Sequence, residues 1–268
     1  SATEPFSFMY IGDAQNGLNR WGSLMHTAHR MRPDVSFILM AGDLVNRGAQ
    51  RDDWDMLFAN AVENYATKPL MPAIGNHEYQ SGFPKLYLDL LTLPTNGPKT
   101  IEPERAYSFQ YSNSLFVVLD SNRDFVEQKE WLEGVLKNST ATWKFVMFHH
   151  PAYSSAPNRN NTDVLSEWVP LFDTYHVDMV LQGHDHAYLR TYPMHNNKMV
   201  DSTAKGTVYV VSVSGVKMYE QGDFAYTAKG FTNTATFQIL DILVTGNRLV
   251  YKSYDEEGDL VDEIQINK

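Results

Sequence analysis

The sequence predicts an α/β fold in which two β-sheets pack face to face and are flanked by helices. Three observations carry that prediction. Short apolar runs of strand length alternate with amphipathic, helix-like stretches from Phe6 to Leu181. Five of those runs stop abruptly, either at glycine followed by a polar residue or directly at histidine. From Thr207 onward helical periodicity gives way to strands and turns that run to the end of the chain.

In chain order, Phe6–Ile11 (FSFMYI) reads as an apolar strand that stops at Gly12-Asp13. Arg20–Arg32 reads as a helix, with Trp21, Leu24, Met25, Ala28 and Met31 on one face and Pro33 as its stop. Val35–Ala41 is a buried strand ending at Gly42-Asp43, and Asp52–Tyr65 is a second helix. Leu70–Ile74 is a short strand ending at Gly75-Asn76-His77-Glu78. Tyr107–Tyr111 and Leu115–Leu119, around Asn113, predict a hairpin. Phe125–Lys137 is a helix with Trp131, Leu132 and Val135 on one face. Lys144–Phe148 is a strand ending at His149-His150-Pro151. Thr162–Tyr175 is helical with a kink at Pro170, and Asp178–Leu181 is a strand ending at Gly183-His184-Asp185-His186. The remaining strands fall in TVYVVSVSG, TATFQILDILVTG and RLVYKSYDEEGDLVDEIQI, with turns at Asn247 and Glu257-Gly258.

Composition narrows the chemistry. The 268 residues include 22 basic and 32 acidic ones, a net charge of −10, and no cysteine. Thiol nucleophiles, disulfide scaffolds and thiolate-bound metals are therefore excluded, and any metal must be held by oxygen and nitrogen. The acidic balance argues against nucleic acid as a partner, because phosphate contacts need clustered Lys and Arg. No apolar run approaches the roughly 20 residues of a membrane helix, so a membrane is not an expected partner. The chain opens Ser-Ala-Thr-Glu-Pro, without Met, as a processed product would. This favours a secreted or periplasmic location over the cytoplasm, and a chain without cysteine tolerates an oxidising compartment, although cytoplasmic chains can also lack it. Asn138-Ser139-Thr140 and Asn160-Asn161-Thr162 match the glycosylation triplet, a pattern common by chance. No G-x-S-x-G elbow or Walker-type phosphate loop occurs. Nothing in the pattern sets an oligomeric state.

The five strand ends supply Asp13, Asp43, Asn76, His149, His184 and His186. Ligands gather at the carboxyl ends of strands in open α/β sheets. Two carboxylates, one amide and three imidazoles suit zinc, manganese, iron or magnesium. Side-chain alternation predicts that only one of His149 and His150 is a ligand, whereas His184 and His186, two apart on an extended segment, face the same way. His26 and His29, with no acidic residue between them, read as a solvated or packing pair.

The ordered set GD, GD, GNHE, HH and GHDH resembles the calcineurin-like metallophosphoesterase superfamily, and within it the catalytic domain of purple acid phosphatases and related bacterial phosphatases. The resemblance runs from Asp13 to the terminal VDEIQINK. One motif set spanning the chain implies a single catalytic domain over residues 1–268; the N-terminal β-sandwich domain that the family often carries is either absent or removed. The implied architecture is a four-layer αββα sandwich of two mixed β-sheets flanked by helices.

By position, the resemblance gives two metal ions, of iron, zinc or manganese. Asp43 bridges them. Asp13 and His186 belong to the first site, and Asn76, His149 and His184 to the second. His77 lies by the leaving group, and Glu78 orients a neighbouring imidazole. The family's iron-binding tyrosine is replaced by Asn46, and the D-x-H histidine of other superfamily members by Gln15. Gln15, Asn46 or water is left to fill the vacated position of the first site.

The implied reaction is hydrolysis of small phosphate esters, monoesters favoured, by in-line attack of a hydroxide held by both metals. Asp43 and His77 are its catalytic residues. His150, Tyr153 and Arg159 are candidate substrate contacts, with Asn158 and Tyr188 beside them. A phosphodiesterase with the same centre and a non-catalytic binding module on the same fold are the alternatives.

Overall fold

The computed structural model describes residues 4–157, 159, 161–243 and 247–268. Asn158 and Asn160, named above as a cleft residue and a glycosylation acceptor, lie outside the described residues.

The apolar runs pair into two mixed sheets. β1 (Phe6–Ile11), β2 (Ile38–Ala41) and β3 (Leu70–Ala73) run parallel, connected through α1 (Leu18–Met31), α2 (Arg51–Asn60) and α3 (Val62–Tyr65). After α4 (Lys85–Leu90), the hairpin of β4 (Tyr107–Tyr111) and β5 (Ser114–Val118) begins the second sheet. α5 (Phe125–Lys137), β6 (Trp143–Met147), α6 (Thr162–Glu167), α7 (Val169–Thr174) and β7 (Met179–Gln182) extend it. β8 (Tyr188–Thr191), the small β9 (Met194–His195) and β10 (Lys198–Met199) hairpin, β11 (Val208–Val211) and β12 (Thr227–Phe231) follow. The chain then returns to the first sheet as β13 (Thr236–Leu243), β14 (Arg248–Asp255) and β15 (Leu260–Asn267). The strand orders are β15-β14-β13-β1-β2-β3 and β12-β8-β11-β7-β6-β5-β4.

Strand alternation sorts the side chains into layers. Phe116 and Val118 of β5 join the core shared by both sheets, where Phe8 meets Phe116 and Phe145 edge-on with centroids 5.1 and 5.2 Å apart. Leu115 and Val117 face the other way and pack with Leu132 and Leu136 of α5, Trp168, and Phe172 of α7. The result is the four-layer αββα sandwich. Pro72 is tolerated in β3 because that strand lies at the sheet edge. No helix among the described residues is long and apolar enough to cross a membrane.

Two expected helices are each split. Asp52–Tyr65 breaks at Ala61, and Thr162–Tyr175 breaks at Trp168. Pro170 is not a mid-helix kink; it sits in the first turn of α7, where a missing N–H leaves no bond unmade. α4, β8, β9, β10 and β12 are too short to announce themselves, and β12 is half-buried without alternation.

Candidate metal centre

The carboxyl ends of β1, β2, β3, β6 and β7 converge on one site. Tight backbone geometry brings them there. Gly42 has φ 84°, a conformation glycine adopts without steric cost. At Gly75 a Cβ would overlap the Asp43 carboxylate and backbone N–H. Three candidate ligands are themselves left-handed: Asp43 (φ 49°), His184 (φ 74°) and His186 (φ 49°). Such positions cost about 1–3 kcal/mol each and persist where their surroundings hold them. The buried Asp185 carboxylate does part of that holding, accepting from Ser154 Oγ (2.6 Å), Ser155 N–H (2.7 Å) and Arg159 Nε (2.8 Å).

The His184–His186 segment is therefore a turn and not the extended stretch expected from the sequence. Its two rings serve different groups. His184 Nδ1 lies 3.1 Å from His149 Nε2, whereas His186 Nε2 lies 3.5 Å from Asp13 Oδ2. The alternation argument at His149-His150 also lapses, because β6 ends at Met147. Both rings border the site, with centroids 4.9 Å apart.

The donors form two overlapping groups. In one, His149 Nε2 is 3.2 Å from Asp43 Oδ2 and 3.1 Å from Asn76 Oδ1, with His184 Nδ1 beside it. In the other, Asp13, Asp43 and His186 meet, with the Gln15 amide 3.2 Å from Asp43 Oδ2 and 2.9 Å from His186 Nε2. Asp43 Oδ2 belongs to both. The Asp13 carboxylate is fixed by the His184 N–H, 2.9 Å from each oxygen. Tautomers are set from behind. His149 Nδ1 donates to the Ala41 carbonyl (2.8 Å) and His186 Nδ1 to the Lys217 carbonyl (3.0 Å). Each Nε2 is then turned toward the donor group, the arrangement a metal-binding imidazole needs.

The electrostatics fit a cation. Burial and the neighbouring Asp43 push the Asp13 carboxyl up to about 7, against the pull of His149. Burial would lower His149, but Asp43 and Asp13 outweigh it and raise the imidazole to about 10. Burial and Lys217 hold His186 down at about 3. Two buried carboxylates side by side call for positive charge next to them, which a bound cation would supply. Asp13, Asp43 and His149 each offer a ligand atom within 4.8 Å of the others, as do His149, His150 and His184. The residues present thus fit metal ions.

Around this centre, His77 donates its backbone N–H to Asp43 Oδ1 (2.8 Å). Its Nδ1 meets the Asn46 carbonyl at 2.6 Å, and its Nε2 lies 3.8 Å from Asp43 Oδ2. Glu78 does not orient an imidazole. Its carboxylate accepts the backbone N–H groups of Gly75, Asp43, Leu44 and Val45 (2.7–3.4 Å) and so ties two ligand-bearing turns together.

His150 stands at the second group, its ring 4.4 Å from that of His184 and its Nδ1 2.9 Å from Ser121 Oγ. Arg159 is anchored by Asp185 and the His184 carbonyl (3.2 Å). Two other candidates point elsewhere. Tyr153 packs its ring on Tyr209 and Tyr226 and donates to Asn197 Oδ1 (2.8 Å). Tyr188 is buried between the sheets and donates to Asp262 (2.7 Å). Ser121 was not foreseen, although Leu115–Leu119 ends in Asp120-Ser121-Asn122; the missing signal was a glycine or histidine at that strand end.

Comparison with known proteins bears on the family and the fold. A family model for calcineurin-like phosphoesterases matches residues 6–188. An uncharacterized protein of Mycobacterium tuberculosis is 30% identical over 221 residues, covering 67% of this chain and 42% of its own length. A phosphoenolpyruvate phosphatase of Allium cepa is 28% identical, covering 80% of this chain and 47% of its own. The chain thus spans about half the length of the curated relatives it matches. The structure of a purple acid phosphatase from yellow lupin (Lupinus luteus) seeds superposes with a TM-score of 0.83 at 19% identity, over 99% of this chain and 54% of that one. By motif order, by fold and by the match to the family model, the chain belongs to the calcineurin-like phosphoesterase family.

Proposed function

We propose that the chain binds two metal ions, of iron, zinc or manganese, and hydrolyses small phosphate esters, monoesters in preference to diesters. The observation that carries this reading is the position of Asp43 Oδ2, within 3.2 Å of donors from both groups. When bound, paired cations lower the pKa of a water and offset the charge of a phosphate group. The chain supplies the rest. Asp43 joins the two groups. His77, fixed at Nδ1 by Asn46, presents Nε2 as the atom that carries a proton to the departing alcohol. Arg159, held by Asp185, offers its planar fork to phosphate oxygens at the rim. His150, steadied by Ser121, borders the same space. The monoester preference is supported by the likeness to an onion enzyme named for phosphoenolpyruvate, itself a monoester.

The test is metal analysis after reconstitution with manganese, zinc or iron, paired with rates on p-nitrophenyl phosphate and bis(p-nitrophenyl) phosphate. Two metals per chain and faster monoester turnover are expected. Faster diester turnover would make the chain a phosphodiesterase, and less than one metal without turnover would make it a binding module. His77→Ala is expected to lower kcat on an alkyl phosphate by about 10²-fold or more. The loss on p-nitrophenyl phosphate should be much smaller, because nitrophenolate leaves without a proton.

A further inference from the structure

The first donor group holds Asp13, Asp43 and His186, and two amide residues stand close to it. Asn46 comes to the site through its backbone, whose carbonyl accepts from His77 Nδ1 (2.6 Å) and Gln80 Nε2 (2.8 Å). Gln15 comes by its side chain. It is buried, and its amide NH₂ lies 2.9 Å from His186 Nε2 and 3.2 Å from Asp43 Oδ2. Its backbone N–H donates to the Asp43 carbonyl (3.2 Å), so the two segments are tied together. The other amide atom, Oε1, is buried and has no hydrogen-bond partner.

An amide exchanges its oxygen and nitrogen by a half-turn, and its neighbours decide which atom faces them. Without a cation, the lone pairs of Asp43 Oδ2 and His186 Nε2 draw the N–H donors. A cation takes up those lone pairs, and the N–H groups would then confront positive charge. The oxygen is the better atom to present. The half-turn sacrifices nothing on the far side, where Oε1 already lacks a partner. The separations also fit. Neighbouring ligands around an ion with bonds of about 2.1 Å lie about 3 Å apart, close to the 2.9 and 3.2 Å seen here.

The geometry points to Gln15 Oε1 as a ligand of the first metal ion, in the position that sequence left open between Gln15, Asn46 and water. This inference rests on the two-metal reading proposed above. Its consequence is a site of two carboxylates, one of them shared, one imidazole and one neutral amide. Such a set suits a divalent cation of the manganese(II) type better than trivalent iron.

The test is a manganese(II) titration of the metal-free full chain, followed by the electron paramagnetic resonance signal of free ion, with thermal unfolding as a check on fold. Wild type is expected to bind two ions. Gln15→Leu should weaken one site by about 10-fold or more and leave the other unchanged. Asn46→Ala should leave both unchanged. Gln15→Glu decides between ligand and mere hydrogen-bond donor, because it keeps an oxygen and removes the N–H groups. As a ligand replacement it binds at least as tightly as wild type. If Gln15 only donates to Asp43 and His186, Gln15→Glu sets a carboxylate against Asp43 and weakens binding, which overturns the inference. Unchanged binding in Gln15→Leu, or a lost site in Asn46→Ala, overturns it too. Gln15→Glu preserves size and polarity, so its sign decides even where Gln15→Leu fails to fold. A wild-type chain that takes up no pair of ions overturns the two-metal reading, and this inference with it.

Discussion

Asp43→Asn is expected to abolish metal pairing and turnover together, lowering kcat/KM by about 10³-fold or more, the equivalent of several kcal/mol of lost charge stabilisation. The substitution is chosen because it changes charge and little else. Asn has the shape of Asp and tolerates the left-handed φ of 49° at this position. It also keeps an oxygen for the His77 N–H that Asp43 Oδ1 now accepts at 2.8 Å. What it removes is the anion whose Oδ2 faces His149 Nε2 and the Gln15 amide, both at 3.2 Å. Without that anion, the two cations that the groups would hold lose the shared negative charge that would offset their mutual repulsion. Asp43→Ala should fail in the same way and also strand the His77 N–H. Metal content by elemental analysis and initial rates on a phosphomonoester are the readouts. A chain that keeps two metals and its full rate as Asp43→Asn would remove Asp43 from the bridging role.

The six candidate ligands were legible because each lies one to five residues past an apolar run, so a local signal reported a distant convergence. What the signal could not carry was side-chain direction. Beyond the last paired residue, direction depends on the φ of the turn, and left-handed His184 and His186 send their rings to different groups where an extended chain would send them together. Tyr153 and Tyr188 follow ligand motifs closely, yet their rings are claimed by packing on Tyr209 and by Asp262. Asp185, to which the sequence assigns no role, is the buried acceptor that anchors Arg159 and both Ser154 and Ser155. The layers were readable from periodicity, and the short, half-exposed β12 was not, because a strand without a buried face leaves no alternation to read.

Glu78→Ala is expected to cost more stability than loss of any single metal ligand, at least about 3 kcal/mol, because the buried carboxylate serves as acceptor for four backbone N–H groups and an unpaired buried N–H costs about 1–3 kcal/mol. Those donors belong to the turns after β2 and β3, so one side chain fixes Asp43 and the approach to Asn76 at once. Water entering the space left by the side chain would restore some of the bonds, which is why the expected loss is well below the sum of four. Glu78→Gln should fall between, since it keeps one carbonyl oxygen but turns an NH₂ group toward donors that need an acceptor. Urea unfolding of the metal-free chain separates this role from metal binding. A residue that merely oriented an imidazole would leave metal-free stability near wild type and lower only metal affinity. A clamp on the backbone lowers stability first, and metal affinity follows because the Asp43 N–H is one of the groups released. A metal-free Glu78→Ala chain as stable as wild type would therefore count against the clamp, whatever its activity.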